Sequence, residues 1–295
     1  MPQSPVEGAL VSAGLLAEPD ASVSLDLLLP VDADIPTAMD HARTEVKAAG
    51  FSLVTTLLDH PTQPMITIEL VSFSDLGWSG KKPRYIQAWL KDDELQQVYA
   101  SVGIVRLRVR GPSNRALDSL PRLLNACRTL ATSHKAWILD SYRAQLHTAN
   151  SLEGWMPDPE DVGTIVRVIG VTAKNKPSHA RTMGFARLGL PELYIPAIIP
   201  APDLDSARYL LFAAAQTYLN HGGITRRGQL DIDMASMTPD WHPVEHGPGK
   251  FGFEARWVRG PIHDKLIIEL SLRGGSRDPA AFAAALRRFA VVDQE

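Results

Sequence analysis

Four polar side chains in the last quarter of the chain have the residue types, and part of the spacing, of a metal site. His242 and His246 are four residues apart, and His263 and Asp264 follow further along the chain. On a helix, this separation places two imidazoles on one face, where they can bind zinc together. Pro243 lies inside the pair, so the segment is a loop rather than a helix. We predict no metal site and keep these residues as weak candidates for a metal-dependent hydrolase.

The other catalytic patterns in the sequence are incomplete. The segment 77–80, Gly-Trp-Ser-Gly, lacks the spacing of a nucleophile elbow, and no phosphate-binding or dinucleotide-binding glycine motif occurs. Cys127 lies in an apolar helical run, which favours a buried, inert thiol. Asp231 and Asp233 share one face of a predicted strand, where solvation explains them better than acid–base chemistry. We therefore predict no catalytic residue and no cofactor.

Arginine alternates with apolar residues in the clearest strand pattern of the chain. Arg106, Arg108 and Arg110 project from one face of VGIVRLRVR, spaced about 6.5–7 Å apart, and repel one another unless acids oppose them. Because the planar guanidinium is favoured at interfaces, we predict that this row binds a partner. The alternatives are cross-strand pairing with Glu69 and its neighbours, and simple solvation of the row.

Aromatic residues and an uneven charge distribution surround this row. Trp78, Tyr85 and Trp89 could anchor an interface, and core packing is the equal alternative. Residues 81–143 carry twelve basic and five acidic side chains, whereas residues 1–60 carry nine acidic and two basic ones. Such asymmetry steers a charged partner, unless the two regions pair within the molecule.

Composition limits the class of protein. The 295 residues are 45% hydrophobic and 21% charged, which is typical of one large or two average globular domains. A net charge of −3 disfavours nucleic acid as a partner. The single cysteine fits a reducing compartment, and the sequence contains no apolar run long enough to span a membrane. We expect a cytoplasmic protein with no nucleic-acid or membrane partner.

The first 150 residues alternate between strand and helix signals. Asp34 and Pro36 begin a helix that Gly50 ends, and Ser113 begins a second helix that contains Pro121. The predicted order is strand, helix, three strands, helix, strand, which indicates a ferredoxin-like two-layer sandwich. The predicted strands cover residues 23–29, 51–58, 65–73, 102–110 and 136–139.

The second half has the same style without sequence identity. A long amphipathic helix begins at Asp203 or Asp205, and a final helix begins at Asp278 and Pro279. We place a boundary in the polar stretch 150–161, which divides the chain into α+β lobes over residues 1–150 and 151–295. Each lobe is expected to be a mainly antiparallel sheet with helices packed on one face. The predicted strands cover residues 164–172, 192–198, 229–234, 251–258 and 265–272.

Two segments carry a family resemblance. They are WILDSYRAQLHTANSLEGW over residues 137–155 and HARTMGFARLGLPELYI over residues 179–195. They resemble segments of uncharacterised bacterial proteins with domains of unknown function, although Leu188 replaces an aromatic residue. The matching positions are Ile138, Asp140, Ser141, Trp155, Arg181, Thr182, Met183, Gly184 and the run from Gly189 to Leu193.

The resemblance implies a small bacterial partner protein of conflict systems, such as an immunity protein that neutralises a delivered toxin. We expect a non-catalytic protein that binds another protein, because an immunity protein needs only a complementary surface. The alternatives are a hydrolase that uses the His242 and His246 loop, and an adaptor in a secretion or assembly apparatus.

Overall fold

The chain forms two compact α+β units. A computed structural model describes residues 20–76, 90–152, 155–173, 176–220, 228–233, 250–259, 266–272, 274 and 276–289. Of these, residues 20–157 and 186–190 form the first unit, and residues 158–185 and 191–289 form the second. Each unit contains a six-stranded sheet with helices, so the predicted two-lobe α+β class is confirmed. No helix within these ranges is long and apolar enough to cross a membrane.

The first unit is built around a ferredoxin-like sheet. The elements are β1 (Asp20–Leu29), α1 (Ile35–Ala48), β2 (Ser52–Leu53), β3 (Met65–Val71), α2 (Asp92–Tyr99), β4 (Gly103–Pro112), α3 (Ala116–His134), β5 (Trp137–Asp140) and β6 (Gln145–His147). The strand order of the sheet is β2-β3-β4-β1-β5-β6. Within it, β3-β4-β1-β5 pair antiparallel in the order of the ferredoxin-like fold, and β2 and β6 extend the two edges.

Local signals fix the ends of α1, whereas burial maintains α3, which begins at Ala116 rather than at the predicted Ser113. The Asp34 side chain accepts a hydrogen bond from the Thr37 backbone nitrogen at 3.4 Å and caps α1. Gly50, with φ of 79°, follows the helix in a conformation that suits glycine. The helix α3 is not divided at Pro121. Its apolar side, which includes Leu123 and Cys127, is fully buried, and this burial outweighs the one backbone hydrogen bond that proline removes.

The two faces of the first sheet differ in chemistry. Inward residues of β1 and β4, such as Leu25 and Leu107, are fully buried. The opposite face is polar in the middle of the sheet and apolar at one end, where Leu28 and Ile104 pack with Val98 of α2. The helix α2 therefore covers one end of the face that carries the arginine row.

The second unit also contains a six-stranded sheet. Its elements are α4 (Val162–Ile165), β7 (Arg167–Ala173), β8 (Lys176–Met183), β9 (Leu193–Ile199), α5 (Leu204–Asn220), β10 (Gln229–Asp233), β11 (Lys250–Arg259), β12 (Leu266–Leu272) and α6 (Pro279–Phe289). The strand order is β10-β11-β12-β9-β8-β7, and among the described strands of this sheet only the β9–β12 pair is parallel. The Asp278 side chain caps α6 by accepting hydrogen bonds from the backbone nitrogens of Ala280 and Ala281.

Several elements differ from the sequence prediction. The strand predicted over 51–58 shrinks to β2, because this edge strand pairs with β3 only at Ser52 and Leu53. The strand predicted over 164–172 begins only after the short helix α4. The strand β8 was missed. Its buried face carries the polar side chains Ser178 and Thr182, which hide the apolar alternation that marks a strand.

The two units share part of their strand order but not a strand pairing pattern. In both, a strand and a helix precede three strands and another helix, although α2 separates the last two of these strands in the first unit. The order β2-β3-β4-β1 has the same neighbours as β10-β11-β12-β9. However, β1 pairs antiparallel with β4, whereas β9 pairs parallel with β12. The second unit is therefore not a simple copy of the ferredoxin-like arrangement.

Candidate functional site

The arginine row of β4 is paired with side chains of β1. Arg106 donates from Nε to Oδ1 of Asp26 at 2.7 Å and from Nη2 to Oδ2 at 3.2 Å. Arg108 donates to Ser24 Oγ at 3.3 Å. The antiparallel register places Asp26 opposite Arg106 and Ser24 opposite Arg108, so these are direct cross-strand pairs. Glu69 also lies opposite Arg106, on β3.

Arg110 ends the row in a more exposed position. Its Nη2 lies 3.2 Å from Oδ2 of Asp20, and its Nη1 contacts the exposed carboxylate of Asp59. The side chain of Arg110 is 29% exposed, against 13% for Arg106. The predicted role of the row in partner binding stays a prediction, and Arg110 is better placed for it than Arg106.

The Asp26–Arg106 pair is a buried ion pair. Asp26 is only 1% exposed, and this burial raises the pKa of its carboxyl group above the ordinary value. The hydrogen bond and charge of Arg106, with the charge of Arg108, offset part of that rise. An unpaired buried carboxylate would cost several kcal/mol. Arg106 therefore has to stay paired with Asp26.

The remaining candidates of the sequence prediction fall into two groups. Cys127 is buried, and burial raises the pKa of its thiol, as expected of an inert cysteine. Within the described ranges, no three histidine, cysteine or acidic side chains form a group that could hold a metal ion. The candidates that lie outside the described residues are Trp78, Tyr85, Trp89, His242, His246, His263 and Asp264.

A second buried ion pair joins the two segments that the sequence singled out. Arg187, between β8 and β9, donates from Nη1 to Oδ2 of Asp140 at 2.7 Å, and the two side chains are 1% and 3% exposed. The other carboxylate oxygen accepts from the backbone nitrogens of Tyr142 and Arg143 at 3.0 and 3.2 Å. The pair lies within the first unit, to which residues 186–190 belong.

Further polar groups surround this pair. The guanidinium carbon of Arg143 lies 4.4 Å from the ring centroid of Trp155, a cation–π contact. The His147 ring is 5.9 Å from the same tryptophan. Burial lowers the pKa of His147 to about 4, with Arg143 and Arg187 acting in the same direction and Asp140 opposing them. This histidine is therefore neutral at physiological pH.

The sequence analysis did not predict that Asp140, Arg143, His147 and Arg187 lie close together. The signals available were charges inside apolar stretches: Asp140 ends the apolar run WIL, and Arg187 stands between Ala186 and Leu188. A charged residue in such a context is either exposed at a turn or buried with a partner. Only the fold decides which of the two applies.

Apolar side chains are exposed at one end of the first unit, where β1 ends and β4 begins. Val31 is 71% exposed, Leu70 55% and Val102 46%. The side chains of Ile35 and Leu70 both approach Gly103. If residue 103 had a β-carbon, that atom would lie 2.9 Å from Cδ1 of Ile35 and 3.5 Å from Cδ1 of Leu70. We call the three exposed side chains of Val31, Leu70 and Val102, together with the half-buried Ile35, the apolar end patch.

Comparisons with family models, with curated proteins and with solved structures find no match to this chain.

Proposed function

We propose that this protein acts without catalysis by binding another protein, and that the partner is a toxin domain which it neutralises. The observation that carries the binding proposal is the apolar end patch. Neighbouring exposed apolar side chains mark interaction sites on soluble proteins, and interfaces have an apolar core surrounded by a polar rim. The identification of the partner as a toxin rests on the resemblance of residues 137–155 and 179–195.

The surroundings of the patch suggest the chemistry of the partner. Asp32 and Asp34 are exposed and lie in the chain between Val31 and Ile35. The exposed carboxylate of Asp32 therefore adjoins Val31 in the chain, and that of Asp34, which also caps α1, adjoins Ile35. A complementary partner surface therefore has apolar side chains flanked by lysine or arginine, which speeds association and fixes the register.

The arginine row has a secondary place in this proposal. Arg106 and Arg108 are held by Asp26 and Ser24 of the neighbouring strand, so their guanidinium groups are not fully available to a partner. Arg110 can exchange its contact with the exposed Asp59 for a partner carboxylate with little loss, since surface ion pairs contribute only about 0–1 kcal/mol.

The test uses a toxin encoded beside this protein and measures both affinity and survival of cells that express the toxin. Val31→Lys and Leu70→Lys place a positive charge on the patch and should weaken binding at least about tenfold, or about 1.4 kcal/mol. Tyr209→Lys is the matched control, because Tyr209 is 51% exposed on α5 of the second unit.

The patch would be rejected as the binding surface if the two patch variants, Val31→Lys and Leu70→Lys, bound the toxin as tightly as the control Tyr209→Lys. Survival of toxin-expressing cells that lack this protein would reject the immunity function. Specific binding to a structural component of a secretion or assembly apparatus, with no effect on toxin activity, would replace immunity with the adaptor function.

A further inference from the structure

A histidine pair joins the two long helices of the first unit. His41 lies on α1 and His134 is the last residue of α3. The His41 Nδ1 and His134 Nε2 atoms are 3.0 Å apart, and the two ring planes meet at 63°. Both side chains are partly exposed, so an ion in solution can reach the nitrogens.

A carboxylate stands behind the first histidine. Oε1 of Glu45, one helical turn after His41, lies 3.4 Å from His41 Nε2. With a proton on Nε2 that faces this carboxylate, His41 Nδ1 accepts the hydrogen bond from His134 Nε2, and the lone pair of Nδ1 becomes available to a metal ion once that proton leaves. Metal-binding histidines commonly have this arrangement, in which a carboxylate behind the ring fixes the tautomer and makes the ligating nitrogen more basic.

We propose that His41 Nδ1 and His134 Nε2 form a binding site for a divalent transition-metal ion, with Cu²⁺ and Ni²⁺ preferred over Zn²⁺. Two nitrogens about 2.0–2.1 Å from one ion and 3.0 Å apart subtend an angle of about 90° at that ion. Neighbouring ligands in tetragonal Cu²⁺ and Ni²⁺ sites have this angle, whereas tetrahedral Zn²⁺ requires a wider one. Water completes the coordination shell.

Each ligating imidazole must be neutral and must have no proton on the nitrogen that binds the metal. Binding moves the Nε2 proton of His134 to its Nδ1 atom, which leaves the ring neutral and needs no further reactant. The bound ion would link the N-terminal half of α1 to the end of α3.

The test is calorimetric titration of the full chain with NiCl₂ at pH 7.5 after treatment with a chelator. We expect one site that disappears in both His41→Gln and His134→Gln. Glu45→Gln should retain the site with about tenfold weaker affinity, because it removes only the orienting carboxylate. His60→Gln is the matched control, since His60 is 72% exposed on another part of the same unit, and it should bind as the original protein does.

The chain has nine histidines, and others could bind nickel, so only the variants show whether His41 and His134 form the site. Nickel binding that is the same in His41→Gln, His134→Gln and the original protein would overturn the proposal, as would the absence of nickel binding to the original protein. Circular dichroism checks that each variant is folded. If a histidine variant does not fold, Glu45→Gln decides the matter, since unchanged nickel affinity in that variant would contradict the arrangement.

Discussion

Replacing Arg187 with methionine tests the central ion pair of the first unit. The change removes the guanidinium but keeps an unbranched apolar side chain of similar length. Arg187 and Asp140 are 1% and 3% exposed, so water cannot replace the lost partner of the carboxylate. Breaking such a buried pair on one side costs about 3–5 kcal/mol. Because two backbone nitrogens still donate to Asp140, we expect the lower part of that range.

The matched control is Arg208→Met. Arg208 also pairs with an aspartate, Asp205, at 3.1 Å, but the two side chains are 46% and 92% exposed. Surface pairs of this kind contribute about 0–1 kcal/mol. The two variants therefore remove the same chemical group from a dry and a wet environment, and the difference between them measures the effect of burial.

Native-state hydrogen exchange suits this measurement, because a chain of two units need not unfold in one step. Peptides that cover β5 and β6 report the free energy of opening around Asp140. We expect Arg187→Met to lower it by about 3 kcal/mol and Arg208→Met to leave it unchanged. The double variant Asp140→Asn/Arg187→Met should lose less than the sum of its single changes, since neither charge is then left alone. A cost below about 1 kcal/mol for Arg187→Met would refute the burial argument.

Three further predictions follow from single buried groups. The pKa of His147 is about 4 in the folded protein, below the ordinary value of about 6.5. Between these two pH values the unfolded chain binds more protons than the folded one. The free energy of unfolding should therefore fall by about 3 kcal/mol as the pH drops from 6.5 to 4. Hydrogen exchange of peptides that cover β6, measured at several pH values and corrected for intrinsic exchange, should show a smaller fall for His147→Gln, and an equal fall would exclude this origin. Arg106→Gln should cost about 3 kcal/mol, and the cost should be larger at pH 8 than at pH 5, because burial penalises the charged form of Asp26 and raises its pKa. A pH-independent loss in the hydrogen exchange of β1 peptides would contradict this prediction. Cys127 is fully buried and should react with a thiol reagent only in denaturant, so rapid labelling of the native protein would show that the thiol is accessible.

Much of the first unit could be predicted from local sequence signals. Alternation in VGIVRLRVR determines which side chains of β4 share a face, and Asp34 and Gly50 determine where α1 begins and ends. The element order then indicated the ferredoxin-like sheet that the structure shows. These signals succeed because each depends on residues a few positions apart. The strand β8 escaped prediction because two of its buried residues, Ser178 and Thr182, are polar.

The partners of the polar side chains could not be predicted in the same way. Arg106 and Asp26 are 80 residues apart in the chain, Arg187 and Asp140 are 47 apart, and His41 and His134 are 93 apart. A sequence shows that an arginine in an apolar stretch needs an acid, but many acids satisfy that need equally. The sequence by itself determined most of the elements, β8 excepted, and the polar face of β4. Only the tertiary structure decided which charge meets which, because strand register and helix packing bring distant residues within hydrogen-bond reach.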